Sequence, residues 1–135
     1  MTARTRYKAL GLQGRQDGHQ DTFLKTYQFP VVAVASAAEQ DTGVAAPAGT
    51  IQVVSAYLRV TTAEATAAAK TVDVGTTSGS GADILNDASV AATGPVGTPI
   101  TAAFAGGGNF SYTLAGADFA ELDAVCVVTV LAADE

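Results

Sequence analysis

The chain has 135 residues, a formal net charge of −6 and a charged fraction of 15%, against the quarter that is usual for soluble proteins. Its length fits one domain, and its one cysteine, Cys126, excludes an intrachain disulfide. The scarcity of reactive side chains argues against an enzyme, and the acidic balance argues against nucleic-acid binding. The first ten residues have no apolar signal-peptide core, and no apolar run is long enough to span a membrane.

Charge is divided unevenly along the chain. Five of the seven basic residues fall in the first 25 positions, which sum to +3, whereas the remaining 110 residues sum to −9. A basic arm over residues 1–22 therefore precedes an acidic body over residues 23–135. This layout is typical of a protein that attaches to something, and the low charge density suggests that copies or a partner cover part of the body.

The first half of the chain predicts an arm followed by two strands. Residues 1–22 are polar and glycine-punctuated, which favours an extended arm or irregular loop. Strand-like sequence starts at Phe23, and residues 27–36 are rich in β-branched and aromatic types, with Pro30 indicating an edge or a bulge. The Asp, Gly and Pro content of residues 37–50 predicts a loop.

Residues 51–60 give the clearest strand of this half. Alternation predicts one apolar face and one polar face. The apolar face would hold Val54, Ala56, Leu58 and Val60, and the other Ser55, Tyr57 and Arg59. The alanine-rich residues 61–69 fit either a short helix or a hairpin connection.

The middle of the chain predicts short strands and turns. Residues 70–75 form a strand with Val72 and Val74 inward and Asp73 outward, followed by a loop. Residues 84–87 could be one helical turn capped by Asp83. Further short strands are expected over residues 90–104, broken at Gly94-Pro95 and at Gly97, before a tight glycine turn at 106–108.

The end of the chain carries the clearest β pattern. Residues 109–114 alternate, with Phe110, Tyr112 and Leu114 on one face. Residues 124–132 are apolar on both faces, which favours a central strand or one covered by a second subunit. From this strand we select candidate oligomer-interface or core residues, namely Val125, Val127 and Thr129. The fold class predicted is all-β, a β-sandwich or jelly roll with an extended N-terminal arm.

Few residues could carry chemistry. His19 lies in a glycine-flanked arm that cannot hold an imidazole against a nucleophile, so we expect a solvated histidine. Cys126 lies in the most apolar strand, where a buried thiol is inert. Two acidic loop clusters lack the alternating spacing of a calcium loop, so we expect solvated carboxylates and no metal or cofactor. These clusters are Asp83, Asn86 and Asp87, and Asp118, Glu121 and Asp123.

The segment from Tyr57 to Gly94 resembles small virion proteins of tailed bacteriophages. The likeness rests on a V-x-V-T-type strand followed by K-T-x-D-V/I-G, a Gly/Ser loop with Asp, and a D-x-L/I-x-x-x-S-V-A-x-x-G stretch. The matching residues are Arg59-Val60-Thr61, Lys70 to Gly75, and Ala82 to Gly94. The resemblance implies a decoration (cement) protein of the capsid, made in the host cytoplasm, placed on the capsid surface and often trimeric.

The resemblance also implies the partners, namely a major capsid protein and further copies of this chain. From the acidic balance and the lack of a long apolar run, we expect no contact with nucleic acid or membrane. Candidate contact residues in the arm are its basic ones, Arg4, Arg6, Lys8 and Arg15. The alternative is a β-sandwich binding module that recognises carbohydrate or a host surface. The absence of tryptophan weighs against that alternative.

Overall fold

The computed structural model describes residues 22–36, 38–64, 70–116 and 119–133, and all the regular elements in these ranges are β-strands. In chain order they are β1 (Thr22–Val32), β2 (Gln40–Ala45), β3 (Thr50–Thr62), β4 (Thr71–Thr76), β5 (Leu85–Ser89), β6 (Gly94–Val96), β7 (Phe104–Ala105), β8 (Asn109–Ala115) and β9 (Asp123–Ala133). Over the same ranges, no helix has the length and apolar character to cross a membrane.

The strands form two antiparallel sheets. Sheet I has the order β1-β9-β3-β6, with β7 also pairing with β3, and sheet II has the order β2-β8-β4-β5. The pairings are nested, because β1 pairs with β9, β2 with β8, β3 with β6 and β4 with β5. The chain is thus wound like one long hairpin folded over itself. The predicted all-β sandwich is confirmed, whereas residues 1–21 of the predicted arm lie outside the described residues.

The core lies between the two sheets. Phe110 of β8 packs its ring 5.3 Å from that of Phe29 and 4.9 Å from that of Tyr27, both on β1, so one aromatic cluster joins the sheets. Alternate residues of β9 and β4 complete the layer, and all are buried. They are Ala124, Cys126, Val128, Val130 and Ala132 of β9, and Val72 and Val74 of β4.

Four predicted strands are confirmed, although β1 ends at Val32 and not at residue 36. β1 is an edge strand of sheet I, as Pro30 indicated, because a residue without an N–H is tolerated there. β4 places Val72 and Val74 inward and β8 buries Phe110, as the alternation predicted. β9 is central, between β1 and β3, which explains its apolar residues on both faces.

The prediction for the apolar face of β3 is wrong at one position. Val53 pairs with Val130 and Ser55 with Thr129, so Val54 is an extra residue in a β-bulge. The bulge reverses the alternation: Val53 is 2% exposed and Val54 is 54% exposed, while Ala56, Leu58 and Val60 are buried as predicted. Period-2 reasoning assumes an unbroken ladder and so cannot detect this shift.

Three further predictions are wrong at short edge strands. Residues 37–50 are not only a loop, because β2 pairs with β8 inside that range. Residues 84–87 are not a helical turn, because β5 begins at Leu85 and Asp87 has a φ of +57°. The Gly94-Pro95 pair does not break a strand but lies in β6, at the edge of sheet I, where the missing N–H of Pro95 is tolerated.

These misassigned strands have a common physical reason. Each is short and polar and is paired on one side only. Residues that favour turns therefore cost little free energy in such a strand. Gly43 of β2 has a φ of +78°, which suits glycine and produces the irregular register of that strand. The helix-or-hairpin choice for residues 61–69 stays open, because residues 65–69 lie outside the described ranges.

The bulge in β3 predicts unequal effects of alanine substitution at two adjacent valines. Val53→Ala should lower the free energy of unfolding by roughly 2 kcal/mol, because it removes buried methyl groups from the core. Val54→Ala should change it by less than about 0.5 kcal/mol, because that side chain faces solvent. Urea unfolding of the two variants measures both values, and equal losses would contradict the bulge.

Candidate assembly surfaces

The outer side of sheet I is a low-charge face. We define it by the outward residues of its three long strands, whose alternate neighbours point into the core. They are Leu24, Thr26, Gln28, Pro30 and Val32 of β1; Asp123, Val125, Val127, Thr129 and Leu131 of β9; and Val54, Ser55, Tyr57 and Arg59 of β3. Arg59 and Asp123 are its charged members, whereas Leu24 is 63% exposed and Leu131 is 40% exposed.

The predicted interface residues lie in the middle of this face. Val125, Val127 and Thr129 are half-buried, because the side chains of β1 and β3 flank them on either side. Thr129 shares a hydrogen bond of 2.8 Å with Thr26 across the β1–β9 ladder. The structure places all three outside the core between the sheets. The predicted arm contacts, Arg4, Arg6, Lys8 and Arg15, lie outside the described residues.

The outer side of sheet II is an acidic face. Asp73 of β4 pairs with Thr113 of β8, and Asp41 of β2 pairs with Ser111, so these side chains share the outward side. Its five carboxylates are Glu39, Asp41, Asp73, Asp83 and Asp87. The four strands of this sheet and the loop between β4 and β5 contain no lysine and no arginine.

Neutral donors hold these carboxylates in place. Asp41 accepts hydrogen bonds from the Gly43 N–H and the Asn109 side-chain amide, and Glu39 accepts one from the Ser111 hydroxyl. The remaining three accept similar bonds from the Ser80 N–H, the Asp87 N–H and the Thr71 hydroxyl. None of the five forms an ion pair within the described ranges. Their charges are therefore fixed in position without being neutralised.

The loop between β4 and β5 covers part of the acidic face. A Cβ at Gly75 would collide with the backbone of Ser80 and Gly81, so the loop packs directly against β4. This close approach requires glycine at position 75. The same loop contains Asp83, whose carboxylate accepts the Ser80 N–H at 2.9 Å. The loop predicted to follow residues 70–75 therefore helps to assemble this surface.

A buried charged pair ties together two connections of the sandwich. Glu64 follows β3 and Lys70 precedes β4, and each is only 2% exposed. The Glu64 carboxylate accepts the backbone N–H groups of Ala120, Glu121 and Leu122 at 3.0–3.1 Å. Lys70 Nζ lies 3.8 Å from Glu64 Oε2 and 5.2 Å from the Phe119 ring centre. Glu64 thereby fixes the segment that leads into β9.

The environment of Glu64 lowers the pKa of its carboxyl. Burial by itself would raise the pKa, since it disfavours the charged form. The N–H groups of residues 120–122 and the charge of Lys70 together outweigh burial, so the pKa falls below its usual value of 4.5. We assign this pair a structural role, since it meets backbone groups on the path into a central strand.

The candidate chemistry of the sequence has little support in the geometry. Cys126 is fully buried, as predicted, and burial raises the pKa of its thiol to about 12. In the described part of the chain, no group of three histidine, cysteine or acidic residues could hold a metal. His19 and Asp118 lie outside the described residues.

Sequence reasoning missed the Glu64–Lys70 pair and the collected acidic face. Glu64 is a lone acid in an alanine-rich segment, and its partners at 120–122 are distant along the chain. No local pattern could show that contact. The five carboxylates of the acidic face come from four separate segments, and only the pairing of sheet II brings them to one side.

The fold is similar to two solved structures. One is a chain in the structure titled "Cyanophage Pam1 capsid asymmetric unit", with 15% identity, a TM-score of 0.58, and 90% of this chain and 95% of that chain covered. The other is a chain of the acidic stable capsid structure of Helicobacter pylori bacteriophage KHP30, with 15% identity, a TM-score of 0.54, and 87% and 99% covered. No family model and no curated protein matches the sequence. The likeness shows a shared fold.

The buried pair predicts a pH-dependent loss of stability. Glu64→Gln should lower the free energy of unfolding at pH 7 by roughly 2 kcal/mol, because a charged acceptor for three N–H groups is lost. The folded pKa of Glu64 is depressed, so its contribution is present above pH 4.5 and is lost as the pH falls through that lower pKa. The difference from the unsubstituted protein should therefore shrink in acid.

Urea unfolding at pH 7 and at pH 3 measures this difference. Asp123→Asn is the matched control, because it neutralises an exposed carboxylate in the same region of the fold. The control should change stability by less than about 0.5 kcal/mol at either pH. A Glu64→Gln effect of the same size at both pH values would contradict the role of its charge.

Proposed function

We propose that this chain is a structural, non-enzymatic virion protein that decorates and cements a phage capsid shell. The observation that carries the proposal is the fold likeness to chains of two phage capsid structures over nearly the whole of each chain. Because both alignments cover almost all of both partners, the matched chains are about as long as this one. Because the similarity extends over entire small chains, it favours an accessory subunit over a domain of a large shell protein.

The strand order supports the same conclusion. With the two-residue β7 set aside, the eight remaining strands form four nested antiparallel pairs divided between two sheets. That is the arrangement of a jelly roll, in which a folded hairpin is wound into a sandwich. Jelly rolls occur in viral capsid proteins and also in lectins and cupins. We therefore propose a jelly roll, and the two phage structures favour the capsid role among these functions.

The low-charge face supports self-assembly. In solution it would expose Leu24, Leu131 and Val54 beside the half-buried Val125 and Val127. Soluble monomers rarely leave large contiguous apolar patches uncovered. We propose that Val125, Val127 and Thr129 lie in an interface between copies, in a closed symmetric oligomer that we take to be a trimer.

The basic arm over residues 1–22 supports attachment across neighbouring subunits. Its candidate contacts are Arg4, Arg6, Lys8 and Arg15. The body over residues 23–135 would bind the major capsid protein at the capsid surface, and the arm would reach a neighbouring subunit. Two linked contacts raise the overall affinity for the shell through effective concentration. No contact with nucleic acid or membrane is needed in this arrangement.

Deleting residues 2–21 should weaken attachment to empty shells by at least about tenfold, because the second contact is lost. The melting temperature of the isolated protein should change little, because the deletion leaves β1 and its pairing with β9 intact. Replacing Arg4, Arg6 and Lys8 together by Glu should have the same effect and should remove the salt sensitivity of attachment. Co-sedimentation with shells at two salt concentrations measures the affinity.

The matched control replaces Gln13, Gln16 and Gln20 by Ala, which alters the same segment without altering its charge. This control should bind shells like the unsubstituted protein. If the arm-deleted protein saturates shells with unchanged affinity, the arm has no attachment role. If the full-length protein binds no shell, the capsid proposal fails.

A further inference from the structure

We infer that the acidic face of sheet II binds the basic tip of the N-terminal segment of a second copy. The tip is defined by Arg4, Arg6 and Lys8. This inference rests on the proposed function, in which copies of the chain assemble side by side, and it names the neighbour that the arm contacts. The inference also gives a role to the acidic face, which is part of neither the core nor the low-charge face.

The first argument is the unbalanced charge of the acidic face. It carries five carboxylates on four segments of one sheet, and no lysine or arginine lies in the strands or in the loop that covers them. Each carboxylate accepts hydrogen bonds from backbone, amide or hydroxyl donors, which orient it but leave its charge in place. Such a surface attracts a cationic partner and repels an acidic one.

The second argument is that the basic residues of the body lie away from this face. Residues 22–135 contain three basic residues, and each lies elsewhere. Lys70 is buried beside Glu64, Lys25 lies 5.3 Å from the Tyr27 ring centre on β1, and Arg59 lies on the low-charge face of the other sheet. The other four basic residues of the chain all lie in residues 1–21.

The third argument is the order of charges along residues 1–21. This order favours binding to a second copy of the chain over binding to the same copy. The residues nearest the body include Asp17 and Asp21, which the acidic face of the same molecule would repel. Lys8 precedes Thr22 by 14 residues, a span of up to about 45 Å when extended. A domain of this size has a radius of gyration of about 14 Å, so the tip can reach past its own body.

The arrangement explains how a small subunit could cement a shell. Each copy would offer one basic tip and one acidic face, so a copy could donate to one neighbour and accept from another. Contacts of this head-to-tail type can close into rings. Each body would add its own contact with the shell, and the linked copies would dissociate only together.

Charge-neutralising variants of the full-length chain test the inference. The face variant changes four carboxylates to amides, which keep an oxygen acceptor for the neutral donors: Glu39→Gln, Asp41→Asn, Asp73→Asn and Asp87→Asn. The matched control neutralises four other carboxylates of the chain: Asp118→Asn, Glu121→Gln, Asp134→Asn and Glu135→Gln. Both variants change the net charge equally, and circular dichroism with thermal melting checks that both fold.

Sedimentation equilibrium in low salt measures the self-association of each variant. We expect the face variant to raise the dissociation constant at least about tenfold and the control to change it less than about twofold, with the difference lost in high salt. Reversing the charges of Arg4, Arg6 and Lys8 should match the face variant. Combining the two changes should add little, because both remove the same contact.

Zero-length cross-linking of mixed light and heavy isotope-labelled protein identifies the contact. A carbodiimide activates a carboxylate, and Lys8 Nζ then displaces the activated oxygen to form an amide. We expect Lys8 joined to carboxylates of the acidic face, in peptides that combine both isotopes. Single-isotope cross-links without any that combine both isotopes would show that the tip binds its own body and would overturn the inference.

Two other outcomes also overturn it. Equal association constants for the face variant and the control would show that the acidic face takes no part in self-assembly. Weakened binding to shells with unchanged self-association would assign the acidic face to a basic patch of the shell protein. In either case, shell binding by the unsubstituted full-length chain leaves the proposed function standing. If the unsubstituted chain binds no shell, both the proposed function and this inference fail.

Discussion

The central position of the last strand is the constraint on which the rest of the structure depends. β9 pairs along its whole length with β1 and along most of its length with β3, so the end of the chain closes sheet I. Its inward row, from Ala124 to Ala132, fills the core against sheet II, and its outward row forms the middle of the low-charge face. Because this strand needs neighbours on both sides, the first and last strands must meet, and the intervening pairs nest inside them.

The buried Glu64–Lys70 pair bears directly on that constraint. Glu64 accepts three backbone N–H groups from residues 120–122, immediately before β9 begins. Buried charges are costly unless they are paired and hydrogen-bonded, and here the carboxylate is both. The contact orients the chain as it enters its central strand.

The two sheets have different outer surfaces, and the proposed function depends on that difference. Sheet I presents aliphatic and hydroxyl side chains with Arg59 and Asp123 as its charges, whereas sheet II presents five carboxylates. A sandwich with one low-charge side and one acidic side has two chemically distinct contact surfaces. An assembling subunit needs such a distinction, because copies must meet in one orientation and not in others.

The sequence was sufficient for the fold class and for the strands in which local pattern and tertiary role agree. β4, β8 and β9 alternate or are wholly apolar because the core requires it, and they lie where the pattern predicts. β2 and β5 were missed because short edge strands tolerate Gly43 and Asp87 with positive φ, which local reasoning assigns to turns. The exposure of Val54 was missed because a bulge depends on the partner strand.

The candidate surfaces were predicted only in part. Val125, Val127 and Thr129 were selected because their strand is apolar on both faces, and they lie at the centre of the low-charge face. The acidic face could not be predicted, because Glu39, Asp73 and Asp87 come together only through the pairing of sheet II. The basic residues of the arm are visible in the sequence, and their contacts remain proposals.

The mass of the purified full-length chain in solution tests the central claim most directly. Size-exclusion chromatography with light scattering, over a range of concentrations at moderate salt, reports this mass without a shell. The low-charge face predicts a closed oligomer, and a trimer of the 13.5 kDa chain would have a mass of about 40 kDa. A mass of 13.5 kDa at every concentration would contradict the account, because the low-charge face would then be a free surface.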